Sequence, residues 1–300
     1  MIQINNISKS YGDIKSLQGI TAAIGSGSIY GLIGSNGSGK STLLRIMCGI
    51  MRPDSGSVRY DEKDIYENTA VKETVVYLSD EQYFLPNSTL DEMASMYASV
   101  YPGFSRIRYA ELLRLFGLDG GRKLSTFSKG MKKQSSILLA LSCYPKYLLC
   151  DETFDGLDPV MRQLVKKLLA EEVIERGLTP VIASHNLREI EDICDHIGLL
   201  HKGGILFESE LDSLKQEIHA VQYVCDEGVE AENVLKGFHK VSENKRGNLI
   251  TAVVRGNKDE IENALIGAEL RYHEIIPLTL EEIFISEMEE RGYDYSNVVF

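Results

Sequence analysis

One nine-residue segment constrains the fold of this 300-residue chain more than any other feature. Residues 34–41 of this segment, 34–42, fit the pattern G-x-x-x-x-G-K-[ST] in full, with a short apolar run (29–33) before them and an apolar helical pattern after them. Such a loop directs backbone N–H groups and the positive end of a helix toward one point, which favours bound phosphate. The segment therefore predicts a nucleotide site in a fold where strands alternate with helices. Its members are Gly34, Ser35, Asn36, Gly37, Ser38, Gly39, Lys40, Ser41 and Thr42.

Three side chains of this loop have predicted contacts with the nucleotide. Lys40 is expected to reach the β- and γ-phosphates as a point charge. The Ser41 hydroxyl is expected to bind Mg²⁺, and Thr42 to hydrogen-bond a nearby phosphate. A chance glycine-rich turn is the alternative interpretation, and the strand before the loop and the helix after it argue against that alternative.

Two carboxylates follow a second apolar run, residues 147–150, and they are Asp151 and Glu152. Ligands of open α/β sheets bind at the carboxyl ends of the strands. Because successive residues of a strand point to opposite faces, we expect the two carboxylates to have different roles. Asp151 is predicted to hold Mg²⁺, mainly through water, and Glu152 to polarise the attacking water. A solvated strand end is the alternative, but a position about 110 residues after the loop favours the catalytic pair.

Composition restricts the class of protein further. Hydrophobic residues make up 43% of the chain and charged residues 25%, which is normal for a globular protein with a sizeable core. The net charge of -12 argues against nucleic-acid binding and against direct adhesion to anionic lipid. The five cysteines include no C-x-x-C pair, which favours buried thiols in a reducing cytosol. We expect no signal peptide, and the longest apolar stretch (137–143) is shorter than the roughly 18 residues of a membrane span.

The order of strand and helix patterns indicates an α/β fold with an additional small domain. Short strand patterns occupy residues 1–33, helical patterns dominate residues 85–142, and strands and helices alternate after that. Alternation of this kind predicts a mostly parallel sheet covered on both faces. From residue 211 the pattern changes to three helices and three strands, so we predict one domain over 1–210 and an α+β accessory domain over 211–300.

A third motif, Thr-Phe-Ser-Lys-Gly-Met at residues 126–131, precedes the helix that leads to the acidic strand. With the two motifs above, it resembles the signature of ATP-binding cassette (ABC) ATPases, and the resemblance covers roughly residues 1–210. It implies a P-loop NTPase with a mostly parallel core sheet, an antiparallel N-terminal β subdomain and a helical signature subdomain. In that family, the Ser128 hydroxyl and the Gly130 N–H would touch a γ-phosphate held by another subunit. Read alone, this fragment fits an ordinary helix capped by serine better than it fits the signature.

The resemblance implies further site residues. Asp158 falls in the D-loop at the inter-subunit position, and His185 falls at the switch histidine that hydrogen-bonds the γ-phosphate. Tyr11 matches the aromatic residue that stacks on adenine, although a core or surface tyrosine is an equally simple interpretation. Asp80 lies where the family usually has the glutamine of the Q-loop, and we predict a metal or γ-phosphate contact for it. Gln82, two residues later, is the alternative for that role.

The resemblance also implies partners and a function. One chain has one phosphate-binding loop and one signature, so a second ATPase subunit would complete the site, in a homodimer or a heterodimer. With ATP and Mg²⁺, such a pair would drive a separate polytopic permease from the cytoplasmic face of the cell membrane. Residues 126–131 and the ending 277–284 resemble bacterial exporters of the antibiotic-resistance type, which predicts export of a small molecule, drug or lipid. Candidate contacts with the permease lie within residues 80–105 and are Phe84, Leu85, Tyr97 and Tyr101.

Other uses of the same cassette remain as alternatives. An importer subunit is the nearest alternative to export, and the transported substrate is not readable from this chain. A regulatory or translation factor is a further alternative, although translation factors normally carry two cassettes and favour basic surfaces. About 105 residues separate Gly34 from Ala140, which leaves no room for the coiled-coil insertion of chromosome and repair ATPases.

Overall fold

The computed structural model describes residues 1–226 and 230–290, and the chain divides after Glu208 into two units. In the first unit, short strands alternate with helices. The strands are β1 (Ile2–Tyr11), β2 (Ile14–Ile24), β3 (Tyr30–Ile33), β4 (Ser55–Tyr60), β5 (Lys63–Asp64), β6 (Val75–Leu78), β7 (Tyr147–Asp151), β8 (Thr179–Ser184), β9 (His196–His201) and β10 (Gly204–Glu210). The helices are α1 (Lys40–Met47), α2 (Thr69–Lys72), α3 (Leu90–Val100), α4 (Arg106–Phe116), α5 (Lys129–Ser142), α6 (Pro159–Arg176) and α7 (Leu187–Glu191), with a 3₁₀ turn at Leu124–Thr126.

Two sheets form the framework of this unit. The N-terminal sheet has the order β2-β1-β4-β5 with antiparallel pairing throughout. The larger sheet has the order β10-β9-β3-β8-β7-β6, and its five strands from β9 to β6 are parallel. Both the antiparallel N-terminal sheet and the mostly parallel core sheet are confirmed. Neither β4 nor β5 had been expected, because their exposed polar residues hide the alternation of a strand.

The parallel sheet positions the predicted site residues along one edge. Every residue of β3, β7 and β8 is buried, as expected of strands covered on both faces. These strands end at Ile33, Asp151 and Ser184. The phosphate-binding loop, the second carboxylate and the predicted histidine follow directly, so their side chains meet where the carboxyl ends of the strands meet.

Serine and threonine caps delimit the helical segment between β6 and β7. Thr89 starts α3 with a capping box in which Glu92 returns the hydrogen bond. Ser105 caps α4, and Ser128 caps α5 by accepting a hydrogen bond from the backbone N–H of Met131. The predicted helical character of this segment is confirmed.

The second unit begins at Ser209 and is built on one antiparallel sheet. Its β-α-β-β-α-β order and the strand order β12-β13-β11-β14 define a ferredoxin-like arrangement. The sequence patterns missed β12 and α9, because β12 is an edge strand of mostly exposed polar residues and α9 has only four residues. The elements are α8 (Leu211–Glu217), β11 (Ile218–Cys225), α9 (Ala231–Val234), β12 (His239–Arg246), β13 (Leu249–Arg255), α10 (Lys258–Ile266), β14 (Leu270–Ile276) and α11 (Leu280–Glu290).

Within residues 1–226 and 230–290, no helix has both the length and the apolar character needed to cross a bilayer.

Candidate active site

The phosphate-binding loop adopts a conformation that its glycines make accessible. A Cβ atom on Gly34 would lie 2.4 Å from the carbonyl oxygen of Leu200, closer than real side chains come. Gly39, which precedes α1, has φ +112°, and a Cβ there would lie 2.6 Å from the carbonyl oxygen of Ser16. The loop therefore passes so close to neighbouring backbone that larger residues would displace it.

Lys40, the first residue of α1, holds a buried ammonium beneath this loop. Its Nζ donates to the carbonyl oxygens of Gly34 (2.6 Å) and Ser35 (3.3 Å) and lies 3.5 Å from Oε1 of Glu152. Burial lowers the pKa of Lys40, and the charge of Glu152 opposes that shift. A triphosphate can replace these oxygen atoms as the partner of the Lys40 ammonium.

Hydroxyl groups donate to both carboxylate oxygens of Asp151. The Ser41 hydroxyl is 3.0 Å from Oδ1, and the Tyr77 hydroxyl is 3.0 Å from Oδ2. Burial and the charge of Asp151 raise the pKa of Tyr77, so its proton stays on the phenol. The oxygens of Ser41 and Asp151 are the hard donors that Mg²⁺ prefers, and their proximity fits the predicted metal ligands.

Glu152 does not continue the strand as the sequence had suggested. Strand β7 ends at Asp151, and Glu152 has φ +47°, a left-handed conformation that is uncommon for this residue type. Both carboxylates consequently face the loop and α1 rather than opposite faces of the sheet. Oε2 of Glu152 lies 3.0 Å from Nδ1 of His185. Donor atoms of Glu152, His185 and Asp155 all lie within 4.8 Å of one another, so this acidic–imidazole group is the nearest alternative metal site.

A cleft of about 270 Å³ opens between the loop and the acidic strand end. The hydroxyl of Ser38 is buried there without a hydrogen-bond partner, which leaves it available to a ligand. The cleft brings together most of the predicted loop residues, the predicted carboxylate of Glu152 and the Q-loop candidate Asp80. Its lining residues are Ser16, Asn36, Gly37, Ser38, Gly39, Lys40, Ser41, Thr42, Asp80 and Glu152.

Four predicted site residues lie elsewhere in the chain. The Ser128 hydroxyl caps α5 at 3.2 Å from the N–H of Met131, and Gly130 follows in the first turn. Asp158 caps α6 through two backbone N–H groups. Tyr11 is 45% exposed at the end of β1, outside the lining of the cleft.

Three residues with contacts at the site were missed by the sequence patterns. Ser16 donates to the Thr42 hydroxyl oxygen at 3.1 Å, and Tyr77 donates to Asp151. Lys133 on α5 is buried, and its Nζ lies 3.3 Å from Oδ1 of Asp80. For Lys133 a signal existed, since a lysine on the buried face of a helix calls for an anionic partner.

Comparisons with known proteins agree with this geometry. A family profile described as "ABC transporter" matches residues 17–155. The ABC transporter ATP-binding protein YtrB of Bacillus subtilis is 30% identical over 287 residues, which cover 96% of this chain and 98% of YtrB. The bacitracin transport ATP-binding protein BcrA of Bacillus licheniformis is 32% identical over 72% of each chain. The methionine import ATP-binding protein MetN 2 of Bacillus licheniformis is 31% identical over 98% of this chain and 90% of MetN 2.

A solved structure shares the fold of the first unit. The dimeric structure of a bacterial ABC transporter cassette has a TM-score of 0.65 and 25% identity, over 70% of this chain and 99% of that chain. The phosphate-binding loop, the parallel sheet and the acidic strand end define a P-loop NTPase. Within that class, the chain belongs to the ABC transporter family, as an ATP-binding subunit that hydrolyses ATP.

Proposed function

We propose that this ATPase drives export of a small molecule, drug or lipid through a separate permease, docked at the cytoplasmic face of the membrane. Lys40, Ser41 and Glu152 line one cleft, and Asp151 contacts Ser41 beside it. This arrangement is the observation that carries the ATPase part. Support for export comes from the likeness to a bacitracin transport protein and from the motif at residues 126–131. Reconstitution with the permease in inside-out vesicles tests this, and ATP-dependent accumulation of cargo inside the vesicles is the expected result.

Import is the second candidate, because a methionine import protein resembles the chain over nearly its whole length. If right-side-out vesicles loaded with ATP take up cargo from the external medium, that result would favour import and exclude the export proposal. A chain that copurifies with ribosomes and never with membranes would instead favour the non-transport alternative.

The proposed chemistry assigns a role to each group at the cleft. Lys40 binds the β- and γ-phosphates, and residues 34–42 surround the phosphates with backbone N–H groups. The oxygens of Ser41 and Asp151 would hold Mg²⁺, which supplies charge neutralisation when it is bound. Asp80 is the further candidate for a metal or γ-phosphate contact, and Tyr11 for stacking on adenine.

Glu152 and His185 are proposed as the groups that act on water and the γ-phosphate. Glu152 lies between the Lys40 ammonium and the His185 ring and contacts both. A triphosphate competes for Lys40, which leaves the carboxylate free to orient water and accept its proton. Water then adds to the γ-phosphorus as the bond to the β-phosphate oxygen breaks. His185 would donate a hydrogen bond to the γ-phosphate.

A second ATPase subunit is proposed to complete the site. Ser128 and Gly130 lie outside the cleft of their own chain, in the first turn of α5. In a dimer, the Ser128 hydroxyl and the Gly130 N–H would contact the γ-phosphate of the other subunit, and Asp158 would lie at the subunit boundary. Residues 1–210 would form the nucleotide-binding domain, with a helical subdomain at 85–142, and residues 211–300 an accessory domain.

A groove beside the helical segment is the proposed docking surface for the permease. Its volume is about 220 Å³, and residues 82–87 form most of its lining. Tyr83 is 77% exposed and Leu85 is 45% exposed, which gives the groove an apolar rim. Phe84 and Leu85 support the predicted contact, whereas the other two candidates stack on each other within the helical segment.

A further inference from the structure

A buried lysine that the proposed chemistry does not use lies beside the cleft. Lys133 on α5 is only 2% exposed, and its Nζ lies 3.3 Å from Oδ1 and 3.5 Å from the backbone oxygen of Asp80. An ammonium removed from water is unstable unless an anion and hydrogen-bond acceptors replace that water. Asp80 supplies both kinds of partner, so the burial of the Lys133 ammonium and the position of the Asp80 carboxylate depend on each other.

Asp80 would be poorly fixed without this contact. Its side chain is 54% exposed on the loop after β6, where a free aspartate samples several rotamers. Lys133 constrains the carboxylate, and the side-chain amide of Gln82 donates to the backbone oxygen of Asp80 at 2.5 Å. The result is a carboxylate held in the lining of the nucleotide cleft.

We propose that Lys133 is a positioning residue that holds the Asp80 carboxylate at the cleft and thereby links the nucleotide site to helix α5. This inference rests on the proposed role of Asp80 at the γ-phosphate or metal. Helix α5 begins directly after its N-cap Ser128, which is proposed to contact the nucleotide of the second subunit. The Lys133–Asp80 pair thus joins the chain's own nucleotide cleft to the surface it offers to its partner.

The test is a double-mutant cycle on KM for Mg·ATP, with Lys133→Gln, Asp80→Asn and the double variant. Each single variant is expected to raise KM about tenfold, the size of a lost charged hydrogen bond, and in Lys133→Gln kcat should change less than about twofold. Because Lys133 acts through Asp80, the double variant is expected to match Asp80→Asn rather than to multiply the two effects. Lys133→Met removes the charge at similar length and should behave as Lys133→Gln, whereas exposed Lys167→Gln should match the unmodified protein.

Thermal unfolding separates positioning from a simple loss of folding. Asp80→Asn leaves a buried ammonium without its anion and should lower Tm, and the added Lys133→Gln change should restore Tm. An unchanged KM in both Lys133 variants, or effects that multiply, would overturn the positioning role. If Asp80→Asn itself has an unchanged KM and Mg²⁺ dependence, then the proposed role of Asp80 fails instead, and the two failures are distinguishable.

Discussion

The hydroxyl of Ser41 lies 3.0 Å from Oδ1 of Asp151, although 110 residues separate the two in the sequence. They meet because the loop after β3 and the end of β7 lie at the same edge of a parallel sheet, with β8 between the strands. The fold therefore holds together two oxygen atoms of the kind that Mg²⁺ prefers. Holding them together reduces the ordering that Mg·ATP binding requires.

Lys40→Ala is expected to abolish nucleotide binding or lower ATP hydrolysis at least a thousandfold, because no other cation lines the described cleft. Equilibrium dialysis with labelled ATP and a phosphate-release assay measure the two effects. Lys167→Ala is the matched control, since that lysine is 74% exposed on α6 and its ion pair contributes little. Normal turnover by the Lys40 variant would contradict the assignment of the loop.

Tyr77→Phe removes one of the two hydroxyl donors to Asp151 and leaves the ring in place. The carboxylate is then less firmly oriented, so the Mg²⁺ concentration for half-maximal hydrolysis should rise roughly three- to tenfold. A Mg²⁺ titration of the ATPase rate, with saturating nucleotide, measures this. An unchanged Mg²⁺ dependence would show that Tyr77 only fills space in the sheet.

Ser128→Ala and Ser105→Ala each remove the serine cap of one helix, so each should cost about 1 kcal/mol of stability. Ser128 has a second proposed role at the γ-phosphate of the other subunit, and Ser105 has none. Hydrolysis should therefore fall at least about tenfold in Ser128→Ala alone, while Tm falls similarly in both. Equal ATPase rates in the two variants would mean that Ser128 is a cap and nothing more.

Glu189→Gln should change the pH dependence of stability. Burial raises the pKa of Glu189 above its usual value of 4.5, more than the charge of Arg162 and the Ser184 hydroxyl lower it. With a raised folded-state pKa, the stabilising contribution is complete below about pH 4.5 and is lost as pH rises through the folded-state value. The glutamine amide cannot ionise, so the Tm of the variant relative to the unmodified protein should increase with pH across that window. A relative Tm that falls with rising pH would show that Arg162 stabilises the ionised form.

Local sequence was sufficient for the phosphate-binding loop and the acidic strand end. Both come at the ends of buried apolar strands, whose pattern is readable without any distant contact. The parallel core sheet was predicted from the alternation of strands and helices, and the antiparallel N-terminal sheet from the family resemblance. Both are confirmed. Glu152 shows the limit of this reasoning, since a positive φ one residue after the strand changed the direction that alternation had suggested.

Contacts between distant segments were not readable in the same way. Tyr77 and Lys133 reach the site through the order of strands and the rotation of a helix, which no short motif specifies. Strand β12 was missed because an edge strand exposes most of its residues and needs no apolar alternation. The last residues of the chain, 291–300, lie beyond the described part of the predicted accessory domain.

Light scattering of the Glu152→Gln variant tests the shared site most directly. The glutamine should keep Mg·ATP binding while slowing hydrolysis, so ATP remains between Lys40 of one copy and Ser128 of the other. We predict a monomer without nucleotide and a dimer of twice its mass with Mg·ATP. A variant that binds Mg·ATP stoichiometrically and still has the mass of a monomer would contradict a nucleotide site completed by a second copy.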